Sequence, residues 1–209
     1  TDSHVGVRPS FSYKFIIFTC PVGQYYSKDV RVKVETHFTR AAKGGTGAAK
    51  AAGNYAAALL PTKLAINEGY DQLLWTDAES HKYIEECGTM NAAFVVDGKM
   101  LVPSTSETVL SGITRDSAIT LAKDLGIDVE SRMISVAELE EAAQKGLLQE
   151  AFGLGTAATV SVICTIGFAS GDYDLPDISN WSIAPQIQSA LDSVRLGTGE
   201  DKHGWNIPV

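Results

Sequence analysis

The chain has 209 residues, 44% hydrophobic and 20% charged, and its 25 Asp and Glu against 17 Lys and Arg give a formal net charge of −8. That length can bury a substantial core as one domain with room for an added segment. The acidic balance argues against a nucleic-acid surface, which would gather Lys and Arg on one face, and leaves small molecules or proteins as the expected partners.

From the N-terminus, a loop leads into Tyr13 to Val22, a β-branched and aromatic run closed by Pro21 and Gly23 that predicts a buried strand. Tyr55 to Asn67 has helical composition interrupted by Pro61, so a helix that starts late or kinks is expected before Gly69. Gln72 to Thr76 predicts a short strand. Ala92 to Val96 and Lys99 to Val102 predict a hairpin around an Asp97-Gly98 turn, with Glu86 to Asn91 just before its first strand. Thr114 to Leu125 is amphipathic and stops at Gly126, and Ser135-Val136-Ala137-Glu138 is a capping box opening a helix that ends by Gly146. Ala157 to Ile166 predicts another strand, and Ser182 to Leu196 a last helix closed by Gly197. Unequal helices between strands, without βαβ repetition, favour an α+β domain over a doubly wound sheet.

No apolar run approaches the roughly 18 residues of a membrane span, and no signal peptide is recognisable. Three widely spaced cysteines, Cys20, Cys87 and Cys164, form no Cys-x-x-Cys pair and fit a reducing cytoplasm. The four histidines lack ligand spacing, so no metal site is expected.

Chemistry concentrates in a few places. Lys50 stands in a Gly/Ala-rich stretch, Ala41 to Leu59, whose small side chains can neither shield nor pair it. An amine so placed can lose hydration, shed its proton and act as a Schiff-base nucleophile, although residue type alone fits a solvated loop lysine as well. It is no phosphate loop, because Ala49 and Ala51 flank the lysine where Gly and Ser or Thr are needed. Gly112-Ile113-Thr114-Arg115 opens a helix whose first N–H groups could hold a phosphate or be an ordinary cap. Gly153 to Ala158 forms a second glycine-rich turn, readable as an anion cradle or as a tight connection. Glu86, in Glu85-Glu86-Cys87-Gly88-Thr89-Met90-Asn91, follows apolar Tyr83-Ile84; if buried it needs a cationic partner, which no neighbour in sequence supplies.

These pieces together resemble branched-chain amino acid aminotransferases, fold-type IV enzymes that use pyridoxal 5'-phosphate. The resemblance covers nearly the whole chain. It rests on Phe18-Thr19-Cys20-Pro21-Val22-Gly23, Lys50-x-x-Gly53-Asn54-Tyr55, Glu86-x-Gly88-Thr89-Met90-Asn91, Leu110-x-Gly112-Ile113-Thr114-Arg115, Phe152-Gly153-x-Gly155-Thr156-Ala157 and a closing segment that ends at Trp205. It implies a large-domain pseudobarrel with a mixed, mostly antiparallel sheet. Residues 1–32 would then be the end of a small N-terminal domain and its linker, and residues 33–209 the large cofactor-binding domain.

The same resemblance implies roles for particular residues. Lys50 forms the Schiff base and shuttles the proton. Glu86 pairs with the pyridine nitrogen, Tyr55 bonds the ring hydroxylate and Leu110 packs on the ring. Ile113, Thr114 and Thr156 hold the phosphate, with Arg40 near it, while Thr156 and Ala157 receive the substrate carboxylate. The implied reaction passes an amino group from leucine, isoleucine or valine to 2-oxoglutarate in a homodimer, with neither nucleic acid nor membrane as partner. A D-amino acid aminotransferase, an aminodeoxychorismate lyase and a non-catalytic folded fragment are the competing readings. Ala158 and Ser161 stand where some relatives carry a redox Cys-x-x-Cys, so no thiol switch is expected.

Overall fold

The computed structural model describes residues 5–21, 28–157 and 159–207. Among these the strands are β1 (Val30–Glu35), β2 (Gln72–Thr76), β3 (Ile84–Cys87), β4 (Met90–Val96), β5 (Lys99–Pro103), β6 (Val129–Arg132), β7 (Leu148–Gly155), β8 (Thr159–Phe168) and β9 (Gly171–Asp174). The helices are α1 (Ala52–Asn67), α2 (Ile113–Asp124), α3 (Val136–Gln144) and α4 (Ile183–Arg195).

The strands build one mixed sheet in the order β3-β2-β1-β8-β7-β4-β5-β6, with β9 paired to β8. Because β3 also pairs with β4, the strands β1, β2, β3, β4, β7 and β8 close into a ring, the barrel-like form that the family resemblance implies. Most pairings are antiparallel, but β1 lies parallel to both β2 and β8, and β5 parallel to β6. A parallel neighbour needs a crossover, and α1 and α2 supply it between β1 and β2 and between β5 and β6. These two βαβ units were not foreseen, because β1 and β6 were not recognised as strands. The division drawn at residue 32 falls inside β1, whose Val30, Val32 and Val34 are all buried in the core.

Both faces of β4 are covered, which is why its sequence is an almost unbroken apolar run. Ala92 and Phe94 join the cluster beneath α3 with Leu139 and Ala143, whereas Ala93 and Val95 join that beneath α2 and α4 with Ala118 and Ile187. Trp75, Phe94 and Phe152 are among the largest fully buried side chains, and each contributes about 2–3 kcal/mol by leaving water.

Local signals were honoured where they were strongest. Asp97 (φ 51°) and Gly98 (φ 76°) make the left-handed turn between β4 and β5. Ser135 accepts a 3.0 Å bond from the Glu138 N–H and caps α3. The cap of α4 comes from far away: buried Glu150 on β7 accepts hydrogen bonds from the N–H groups of Ser182, Ile183 and Ala184 at 2.7–2.9 Å.

Two expectations are corrected. Residues 13–21 form no strand, and Tyr13, Phe15, Ile16, Ile17 and Phe18 are exposed. Their composition suits a strand, but the described sheet offers this segment no pairing; Val22 and Gly23 lie outside the described residues. Helix α1 starts at Ala52 rather than late and runs through Pro61, whose missing N–H leaves the Ala57 carbonyl without its helical donor.

Candidate active site

The loop from Ala41 to Lys50 packs backbone to backbone against residues 107–108, with Ala48 N–H bonded to the Glu107 carbonyl at 2.9 Å. Only glycine permits this at residue 47, where a Cβ would stand 2.7 Å from Thr108 Cα and 2.6 Å from Ala41 Cβ. The small residues thus serve loop packing. They do not enclose Lys50, which is exposed, and the expectation that it would be dehydrated by its neighbours is not met.

Asn54, in the first turn of α1, closes the loop from the other side. Its Nδ2 donates to the carbonyls of Thr46 (2.8 Å) and Ala49 (2.9 Å), and its Oδ1 accepts from the Thr46 hydroxyl at 2.6 Å. Sequence reasoning placed Asn54 in a motif but gave it no task. The side chain spans the residues just before Lys50 and so fixes where the lysine leaves the backbone.

Glu86 was expected just before a strand and lies in one. It stands opposite Asn91 in the β3–β4 pair, and only 4% of it is exposed. Its Oε1 accepts the Leu110 N–H at 2.6 Å, and Asn91 Nδ2 donates to the Leu110 carbonyl at 2.8 Å. The pair therefore grips both backbone polar groups of one residue, on the segment that leads into α2. Gly112 is forced by the same contact, since a Cβ there would fall 2.2 Å from Asn91 Oδ1.

The cation that a buried Glu86 requires is Arg40, 3.3 Å from Oε2 and with its own side chain only 9% exposed. Arg40 was expected beside the phosphate, but the structure places it at the acid end of the site, where it also donates to the carbonyls of Thr108 and Gly47. Burial pushes the Glu86 carboxyl up to about 7 against the opposing pull of Arg40, the Leu110 N–H and Lys50.

Two adjoining hollows contain most of the expected residues. One is lined by Arg40, Lys50, Tyr55, Glu86 and Leu110. The other, about 190 Å³, carries Lys50, Glu86 and Leu110 on to Ile113, Thr114 and Thr156. Gly112 offers α2 no side-chain cap, so the first N–H groups of the helix face that hollow unpaired by a side chain. Thr156 and Ala157 sit exposed at the β7–β8 turn; Ala158 lies outside the described residues. The glycine-rich segment before them is the end of β7 rather than a helix-to-strand connection, and at Gly153 a Cβ would meet the Met90 side chain at 2.5 Å. Arg115, although in the same motif, turns away and bonds the Pro103 carbonyl and the Ser131 hydroxyl.

An amine, a buried carboxylate with its own cation, and an uncapped helix start in one hollow suit a cofactor with an aldehyde, a basic ring nitrogen and a phosphate. Among the described residues no cluster of His, Cys, Asp or Glu could hold a metal, and no helix is long and apolar enough to cross a membrane.

Residues 6–166 match the amino-transferase class IV family, and the chain belongs to it. It is 42% identical over 213 residues to a probable branched-chain-amino-acid aminotransferase of Staphylococcus epidermidis, with 100% of this chain aligned to 60% of that one. Among solved structures it resembles the branched-chain aminotransferase of Thermoproteus uzoniensis with norvaline, at TM-score 0.75 and 29% identity, over 90% of this chain and 59% of that one. It also resembles a T.th. branched-chain amino acid aminotransferase with pyridoxamine 5'-phosphate, at TM-score 0.71 and 28% identity, over 85% and 55% of the two chains. The chain thus spans about 60% of the length of the Staphylococcus relative.

Proposed function

We propose that this chain is the large, cofactor-binding domain of a branched-chain amino acid aminotransferase, working with pyridoxal 5'-phosphate on leucine, isoleucine or valine and on 2-oxoglutarate. The observation that carries the reading is the meeting of Lys50, Glu86 and the open N-terminus of α2 in one hollow. Family membership and the names of the relatives support it.

When bound, the cofactor supplies an aldehyde for the amine and a ring that draws electrons from the substrate's α-carbon. The residues of the chain do the rest. Lys50 Nζ would anchor the cofactor and move a proton to and from the reacting carbon. The Glu86 carboxylate would accept the N–H of the ring nitrogen, and the hydroxyl of Tyr55, which lines the first hollow, would donate to the ring oxygen. Leu110 packs against the ring. The N–H groups of Ile113 and Thr114 with the Thr114 and Thr156 hydroxyls hold the phosphate, and the turn at Thr156 and Ala157 receives the substrate carboxylate. The residues before β1 belong, on this reading, to the end of a smaller domain and its linker. The exposed apolar stretch from Phe11 to Phe18 and the outward Leu59, Leu60 and Leu64 of α1 are the surfaces such a domain would cover.

Addition of pyridoxal phosphate should give a yellow absorption that is lost in Lys50→Ala. Amino transfer from leucine to 2-oxoglutarate should then be measured beside activity on D-alanine and aminodeoxychorismate. Colour that persists in Lys50→Ala would remove the lysine from its role, and turnover of either competitor without leucine would move the chain to another branch of the family.

A further inference from the structure

Glu85 and Glu86 are consecutive residues of β3, and both are buried, at 9% and 4% exposure. Two adjacent carboxylates out of water cannot both stay ionised without compensation. Among the described residues the cation in ion-pair contact with them is one guanidinium; Lys50 acts on Glu86 from across the hollow. Arg40 pairs with Glu86 at 3.3 Å; burial raises the Glu85 carboxyl, while the Thr108 hydroxyl and the charge of Arg40 draw it down. Thr108 links the group, its carbonyl accepting from Arg40 and its hydroxyl donating to Glu85. Arg40 Nε and Glu85 Oε2 are buried and find no hydrogen-bond partner among the described residues.

Within the cluster of Arg40, Glu85 and Glu86 the count is one guanidinium against two carboxylates, a net −1 when both acids are ionised. A ligand bringing one positive charge against Glu86 makes the cluster neutral. Resting on the reading above, we propose that Arg40 is a positioning residue for the ring nitrogen of the cofactor: by sharing its charge between Glu85 and Glu86 it keeps Glu86 an anion, so that the proton between Glu86 and the ring stays on the ring. Without Arg40 the same proton moves to Glu86, and the ring nitrogen's lone pair accepts its hydrogen bond; no proton is gained or lost. The other titratable groups facing Glu86 are Lys50 and Tyr55 across the hollow and Cys87 beside it on β3, a fully buried thiol that burial pushes up to about 12 and so leaves neutral.

The test uses the protein loaded with pyridoxal phosphate carrying nitrogen-15 in its ring, because the chemical shift of that nitrogen reports whether it bears a proton. The parent should show a protonated ring nitrogen near pH 7.5. Arg40→Gln, which keeps a donor for the Thr108 carbonyl but no charge, should move the resonance to the unprotonated position. Arg40→Lys should restore it, and so should Arg40→Gln with Glu85→Gln, which returns the cluster to a net −1. A protonated nitrogen in Arg40→Gln would overturn the proposal. If Arg40→Gln takes up no cofactor, the double variant decides: binding with a protonated nitrogen supports the shared-charge role, and failure to bind or an unprotonated nitrogen overturns it. A parent protein that binds no cofactor, or binds it without Lys50, strikes the functional reading instead.

Discussion

Glu86 and Asn91 face each other across the β3–β4 pair, and each holds one of the two polar groups of the Leu110 backbone, at 2.6 and 2.8 Å. The strand pair that carries the acid therefore also sets the approach to α2, and with it the open N–H groups of that helix. Acid and open helix end are built as one piece.

Asn91→Ala should release the Leu110 carbonyl inside the protein and cost about 1–3 kcal/mol. Urea unfolding measures that loss. Because the start of α2 shifts with Leu110, cofactor affinity should, on the proposed reading, fall by more than it does for a surface variant of equal stability.

Glu86 gives a pH signature. Folding raises its carboxyl from 4.5 to about 7, so the folded chain binds more protons than the unfolded one between those values. Stability of the ligand-free chain should therefore fall as pH rises from about 4.5 to 7, by roughly 3 kcal/mol, and level off above. Glu86→Gln should flatten that slope in thermal melts. Asp77 works in the opposite sense. Burial would raise it, but hydrogen bonds from Tyr83, Ser80 and Lys82 together hold it down at about 2, and its contribution should fade as pH drops from about 3.8 to 2.

Glu150→Ala should unfold α4 from its N-terminus. Three N–H donors lose their acceptor together, a cost of about 2–4 kcal/mol, and hydrogen exchange should speed up at Ser182, Ile183 and Ala184 first.

Two glycine substitutions should differ in kind. A Cβ at Gly47 meets the backbone of Thr108, which cannot step aside, whereas at Gly153 it meets the end of the Met90 side chain. Gly47→Ala should cost about 2–3 kcal/mol and abolish cofactor capture, while Gly153→Ala should cost about 1 kcal/mol and leave capture measurable.

Asn54→Ala, on a half-buried side chain, should cost only about 1 kcal/mol yet slow reaction of Lys50 with the cofactor aldehyde several-fold, since the loop before the lysine loses its staple. Stopped-flow absorbance would read the rate.

What was legible in the sequence was whatever short-range chemistry encodes. The Asp97-Gly98 turn, the Ser135 cap and the glycine ends of α2, α3 and α4 are written within a few residues, and each was found where its signal stood. Strands β1, β3, β6, β7 and β9 were not foreseen. β1 alternates plainly as Val30-Arg31-Val32-Lys33-Val34-Glu35, but the expected linker boundary at residue 32 cuts it in half. β7 ends in the glycines that were read as a turn. The apolar stretch 13–21 carried a strand's composition and no strand, because composition says nothing about whether an edge is on offer. In the site, Lys50, Glu86, Thr114 and Thr156 were identified as candidates and lie around one hollow. Arg40 was misplaced, since its partner is distant in the chain, and Asn54 and Asn91 act through backbone groups that no spacing rule reveals.

Closure of the ring leaves the outlying ladders, β5 and β6 beyond β4 and β9 beyond β8, as the places where described strands end without a neighbour. Peeling must begin there, whereas a strand of the ring can detach only by breaking two ladders at once. Mechanical or thermal loosening of this protein should thus work inward from its overhangs, and the walls bearing Glu86 and Asn91 should be among the last to come apart.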